Sequence, residues 1–220
     1  MGIFEIMGPA MIGPSSSHTA GAARIGRMAA LLFAEKIDKA VVKLHGSFAD
    51  TAVGHGTDKA IIGGLLGFKP DDERLRDSFS WAEKKGMDYL IEEIKLRDVH
   101  PNTALIELSN QSTAQSISVL AASIGGGSIE VREINASPVK LTGRLPTLWI
   151  RHKDRPGEIA LITTVLGEHQ INIAFMQVYR NRRGDIGSSI LELDQKPPQA
   201  VLDQLEKCKD IYQLRYLPAL

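Results

Sequence analysis

The run Gly13-Pro14-Ser15-Ser16-Ser17-His18-Thr19-Ala20-Gly21 sets four hydroxyl side chains and one imidazole between a Gly-Pro break and an apolar segment. Hydroxyls and free backbone N–H groups at a helix start can hold a carboxylate or phosphate, and an imidazole can move a proton near neutral pH. One hydroxyl is enough to cap a helix, so the remaining polar groups point to a further use. A second run, His45 to Asp58, holds two His, two Asp and three Gly within fourteen residues, which suits a loop folded around something small. His55 reads equally as a weak metal ligand, a general acid/base or a satisfied loop histidine. Asp58, three residues on, can orient it or cap the next helix.

The elements that must position these groups follow from periodicity. Ile25, Met28, Ala29 and Leu32 recur at helical spacing, so Gly13 to Gly21 reads as a loop feeding a helix that continues through residue 36. Residues 38–44 alternate as a strand. A helix is expected over 59–66, with Thr57 or Asp58 as its cap, and another over 73–85, closed by Gly86. Strands are expected over 89–96, 103–109, 115–123 and 128–134. The join Gly125-Gly126-Gly127 lacks the lysine of a phosphate-binding loop and reads as a sharp hairpin.

Asn135 to Pro146, with two prolines and Gly143, is the expected boundary between domains 1–142 and 147–220. Beyond it the pattern is strand 147–152, helix 157–169, strand 171–180, a turn over 181–184, strand 186–193, helix 198–207 and strand 211–217. That βαββαβ order predicts an antiparallel sheet with helices on one face, and the chain as a whole is expected to be α/β (α+β). The loop Asp154-Arg155-Pro156-Gly157, with Asn172, is the expected place for an amino-acid ligand, or else a packing surface.

Bulk properties narrow the function classes. A chain of 220 residues with 43% hydrophobic content is long enough for two small domains without staples. Lys plus Arg and Asp plus Glu are 26 each, so no net field draws nucleic acid or an anionic membrane. The start, Met1-Gly2-Ile3-Phe4-Glu5-Ile6, shows no basic leader, no segment approaches a membrane span, and the expected location is the cytoplasm. Cys208 is the single cysteine, which excludes an internal disulfide and any multi-thiolate metal site built by this chain alone. No metal is expected in the chain; a site of His18, His55 and Asp58 has unspecific spacing.

The segment Ile12 to Gly26 strongly resembles the signature of iron-sulfur-dependent L-serine dehydratases. The resemblance continues through His45-Gly46-Ser47, Gly54-His55-Gly56-Thr57-Asp58, His100-Pro101-Asn102-Thr103 and Ser123 to Gly127. The first domain also resembles the allosteric substrate-binding domain of some phosphoglycerate dehydrogenases, and the second resembles an ACT regulatory domain. The resemblance implies a beta subunit of the two-subunit bacterial type, paired with an alpha subunit that carries a [4Fe-4S] cluster. The implied reaction is L-serine to pyruvate and ammonia, with an open iron acting as Lewis acid. It further implies that Ser16, Ser17 and Thr19 orient a substrate carboxylate or a partner loop, that His18 and His55 are catalytic candidates, and that His45 and Asn102 support loop geometry. The ACT likeness implies a homodimer and binding of L-serine or another amino acid. A stand-alone amino-acid sensor or assembly protein is the alternative.

Overall fold

The computed structural model describes residues 10–180 and 182–220. The N-terminal stretch expected to carry no leader and Asn181 of the expected 181–184 turn lie outside the described residues.

The first helix, α1, spans Ala22–Phe33 and buries Ile25, Met28, Ala29 and Leu32, as the spacing predicts. Each large apolar side chain removed from water contributes about 2 kcal/mol, so this stripe fixes the helix on its sheet. It stops three residues short of the expected end, because Ala34 turns left-handed (φ 56°) with its N–H donated to Ala30 O. The segment before it is not the expected loop. Ser16–Gly21 is a π-helical turn running directly into α1.

Strand β1 (Lys39–His45) alternates buried Ala40, Val42 and Leu44 with half-exposed Val41 and Lys43, the signature of a sheet covered on one face. The expected loop over 45–58 also proves helical in part, with short turns at Ser47–Asp50 and Ala52–His55. Then follows α2 (Thr57–Leu65), with Gly56 at its cap position and no side-chain cap bond. Neither Thr57 nor Asp58 caps it, since both lie within the first turn. The helix expected over 73–85 divides into a 3-10 turn, Glu73–Asp77, and α3, Ser78–Lys84.

Strand β2 (Asp88–Ile94) returns parallel to β1 after this helical crossover. β3 (Thr103–Ser109), β4 (Ser116–Gly125) and β5 (Ser128–Ile134) continue antiparallel. The glycine join is the hairpin between β4 and β5, with Gly125 opposite Ser128. A further strand, β6 (Ser137–Leu141), occupies the expected linker, and the strands of the first unit lie in the order β2-β1-β3-β4-β5. Turn residues Asn135 and Ala136 both take positive φ, so the stretch expected to be the domain boundary also holds a tight turn and a strand.

Contacts divide the chain into two compact units after Ala136. The second contains β7 (Thr147–Lys153), α4 (Glu158–Glu168), β8 (Ile173–Arg180), β9 (Ile186–Leu193), α5 (Gln199–Glu206) and β10 (Ile211–Leu217). Its sheet has the order β10-β7-β9-β8, all antiparallel. Leu148, Ile150, Leu191 and Leu193 from the strands meet Ile162, Leu166, Val201 and Leu205 from the helices in one core. The fold class is thus mixed α and β in both units. No helix among the described residues is long and apolar enough to cross a membrane.

Helices α1 and α2 approach backbone to backbone. A Cβ on Gly26 would overlap Ile61 O, and one on Gly64 would overlap Ala23 O. Because each clash is with main chain, no rotamer change relieves it. Gly64→Ala is therefore expected to destabilise the first unit by roughly 2 kcal/mol. A lowered urea midpoint, followed by circular dichroism, checks this; an unchanged midpoint would contradict the close crossing.

Candidate functional site

Ser15 starts the π-helical turn, with extended backbone (φ −135°, ψ 123°) and a side-chain oxygen that accepts from His18 N at 3.2 Å. This is the one hydroxyl needed for capping. The same Ser15 Oγ lies 3.3 Å from His18 Nδ1. On its other side, His18 Nε2 lies 2.9 Å from Ser47 Oγ. The imidazole is thus clamped between two hydroxyls, one local and one brought from the end of β1.

The His18 ring also meets Phe48 edge-on at 5.4 Å and His55 edge-on at 5.1 Å. Thr19 is buried, and its hydroxyl donates to His55 O at 3.4 Å, joining the two runs through the main chain. Gly21 packs with its Cα on Ser123, where any Cβ would overlap the serine side chain. The first sheet's register explains the convergence. His45 faces Thr103 and Thr103 faces Ala122, so the ends of β1 and β4 and the start of β3 share one edge, below the π-helical turn.

His18 and His55 are therefore brought together, with Thr19 bonded to the main chain of His55. Ser16 and Ser17 are half-buried in the same turn, and their hydroxyls make no hydrogen bond among the described residues. His45 and Asn102 shape loops. His45 Nδ1 accepts from Leu96 N at 3.2 Å. Asn102 N donates to His100 Nδ1 at 3.0 Å, while Asn102 O accepts from Ser123 N at 2.9 Å. Asp58 departs from expectation: its carboxylate accepts from Lys59 N at 2.7 Å and makes no bond to His55. Burial pushes its carboxyl above the ordinary value, against the Lys59 backbone bond and charge.

Four contributors escaped the sequence reading as site residues. Ser15 and Ser47 hold His18, and His100 holds Asn102. Ser123 is fully buried with an unpartnered hydroxyl against Gly21. Each lies within a run that had been noticed, but a hydroxyl 29 residues from the histidine it contacts leaves no local signal. A shallow depression of about 600 Å3 near Val41, Glu107, Ser118 and Asn135 holds none of these groups.

In the second unit the four expected ligand residues do not form one site. Asp154 accepts from Gly184 N at 2.8 Å and Arg180 at 3.2 Å, which lowers its carboxyl pKa through the Gly184 bond first. Arg155 donates to Glu158 at 2.6 Å and pairs with Asp210. Gly157, with φ 96°, is the cap residue of α4. Asn172 donates to Asp194 at 2.6 Å, beside the Ile173–Leu193 pair. Lys153 pairs with Ile186 at one end of β9 and Leu193 lies at the other, so Asn172 and Asp154 are a strand length apart, about 20 Å. Proximity in sequence between a loop and a strand start had suggested one pocket; the antiparallel register separates them.

Burial lowers the His18 pKa from 6.5, and the charge of His55 lowers it further, against a bond to Ser47. A histidine depressed in the folded state costs stability as pH falls below 6.5, because the unfolded chain takes the proton first. An imidazole NMR titration of the full chain is expected to show His18 titrating below 6.5, and His55→Ala is expected to raise that midpoint. A midpoint at or above 6.5 in the parent chain would contradict the burial argument.

The family model described as serine dehydratase beta chain matches residues 2–84, and that of the ACT domain matches 147–210. The chain is 44% identical over 215 residues to a Bacillus subtilis (strain 168) protein named "Probable L-serine dehydratase, beta chain", covering 96% of each. It is 37% identical over 192 residues to the L-serine dehydratase beta chain of Peptoniphilus asaccharolyticus, covering 87% of this chain and 86% of that one. A D-3-phosphoglycerate dehydrogenase of Synechocystis sp. is 28% identical over 85% of this chain and 34% of its own length. With the two histidine runs converging in the first unit and the βαββαβ unit following, the chain belongs to the L-serine dehydratase beta-chain family and carries an ACT domain over residues 147–210.

Proposed function

We propose that this chain supplies one wall of the active site of an L-serine dehydratase and that a cluster-bearing alpha subunit supplies the other. The observation that carries this reading is the edge-on pair His18 and His55, 5.1 Å apart, built from the two runs that also carry the family likeness. The reaction removes water from L-serine to give 2-aminoacrylate, whose imine form hydrolyses to pyruvate and ammonia.

The chain's own chemistry is proton handling and orientation. His18 has both ring nitrogens occupied by Ser15 and Ser47, whereas the exposed His55 ring has neither nitrogen bonded among the described residues. His55 is accordingly the residue placed to take the substrate α-proton, with His18 packed against it. A [4Fe-4S] cluster does not fit this chain: its single cysteine, Cys208, lies in the second unit and donates to Gln204 O at 3.4 Å. The cluster and the Lewis-acid chemistry belong in this reading to the alpha chain.

Reconstitution with the alpha subunit tests the assignment. His55→Ala is expected to lower serine turnover by about 100-fold or more with assembly intact, the effect of removing a general base. Near-parent turnover by both His55→Ala and His18→Ala would remove this wall from the chemistry.

For the second unit, the reading is pairing through its sheet. β8 is an edge strand, and Phe175, Met176 and Val178 on it are 47%, 40% and 46% exposed. An edge strand with exposed apolar side chains offers a surface on which a second copy can pack. Val178→Lys is expected to halve the solution mass measured by sedimentation; the same mass for parent and variant would discard this edge as the contact.

A further inference from the structure

Arg24 stands in the first turn of α1, three residues after Gly21, and is half-buried. Its Nη1 crosses to the β4–β5 hairpin and donates to Gly127 O at 2.8 Å, while its Nε is buried with no acceptor among the described residues. No carboxylate among the described residues forms an ion pair with it. Burial lowers its pKa from the ordinary value, and the charge of Arg27 lowers it further. Arg27 is lowered by burial as well, but there Asp71 supplies an opposing charge. A half-buried cation is costly to keep without a counter-charge, and the neutral Gly127 carbonyl is not one.

The hairpin around this guanidinium is open. A Cβ on Gly125 would meet no atom within 4 Å, and the neighbouring Ile124 is 40% exposed. A second apolar side chain, Val53, is 87% exposed in the same short turn as His55, where a Cβ on Gly54 would also meet nothing. Both that turn and β4 pack on Ser16–Gly21, so Val53 and the hairpin flank the turn that carries His18.

The wall's own incompleteness selects the occupant. A chain with Cys208 as its single thiol cannot bring an iron-sulfur cluster to His55, so a chain with cluster ligands has to close over the surface beside that residue. A second copy of this chain would bring no cluster. A small carboxylate would neutralise Arg24 and leave Val53 and Ile124 in water. We infer that Arg24, Ile124 and Val53 form the docking surface for the cluster-bearing alpha subunit, with a carboxylate of that subunit paired to the Arg24 guanidinium and its apolar side chains covering Ile124 and Val53.

This rests on the proposed dehydratase wall, and the test separates the two. Association of the full chain with the cluster-loaded alpha subunit is measured by sedimentation, and turnover is followed as the alpha subunit is raised to excess. Arg24→Met is expected to weaken association by about 30-fold or more, the effect of stranding one partner of a desolvated charge pair, and to flatten its dependence on salt. Val53→Asp, at a position too exposed to disturb folding, is expected to weaken association about tenfold, as loss of one covered apolar side chain does. In both variants excess alpha subunit is expected to recover most of the lost turnover. Parent-like association in both variants, beside a severe turnover loss in His55→Ala, would overturn the docking surface and leave the wall standing. So would an Arg24→Met enzyme with parent-like association and a raised KM for L-serine, which would give Arg24 to the substrate. Near-parent turnover in His55→Ala and His18→Ala alike would overturn the wall and this inference with it.

Discussion

Close approach of main chain at three glycines is the constraint on which the first unit depends. Gly26 and Gly64 let α1 and α2 touch along their backbones, and Gly21 lets the π-helical turn settle on Ser123 of β4. A side chain at any of the three would hold the helices away from each other or from the sheet. The runs around His18 and His55 would then separate, because they are joined by two ring contacts, the His18–Ser47 hydrogen bond and one 3.4 Å bond from Thr19, each of which needs close approach. If the proposed wall is catalytic, its geometry tolerates little displacement, and a few missing Cβ atoms set it through packing.

The π-helical turn is the second half of that constraint. An α-helical continuation of α1 back to Ser16 would rotate His18 by a different angle about the axis and carry it off the Ser47 and Phe48 side. The wider turn carries instead a Ser15 cap that binds both the main chain and the ring of the same histidine. π turns concentrate at functional sites for this reason: they change the aim of a side chain without interrupting a helix.

Much of this was legible in the residues. The apolar spacing of Ile25, Met28 and Leu32 marked α1, and the βαββαβ order of the second unit followed from alternation and turn residues. The two polar runs were visible as excess chemistry. What was not legible depended on contacts between distant segments. Nothing local assigns Ser47 to His18, or places Asn172 at the far end of the sheet from Asp154; register decides both. The π turn escaped because a Ser-rich start after Gly-Pro carries the same local signal as a capped loop. β6 escaped because Asn135 and Ala136 resemble linker residues while forming a tight reversal.

The two histidines of the proposed wall differ in what surrounds them. Both protonated at 5.1 Å, they would repel, and the one with less water around it yields its proton first. Burial makes that residue His18, and its two hydroxyl partners then fill the hydrogen-bonding capacity of the neutral ring. The exposed His55 ring is left with neither nitrogen bonded among the described residues, as the proposed role requires. Asp58 is held by Lys59 N at the start of α2, so its carboxylate is directed to main chain and not to that ring.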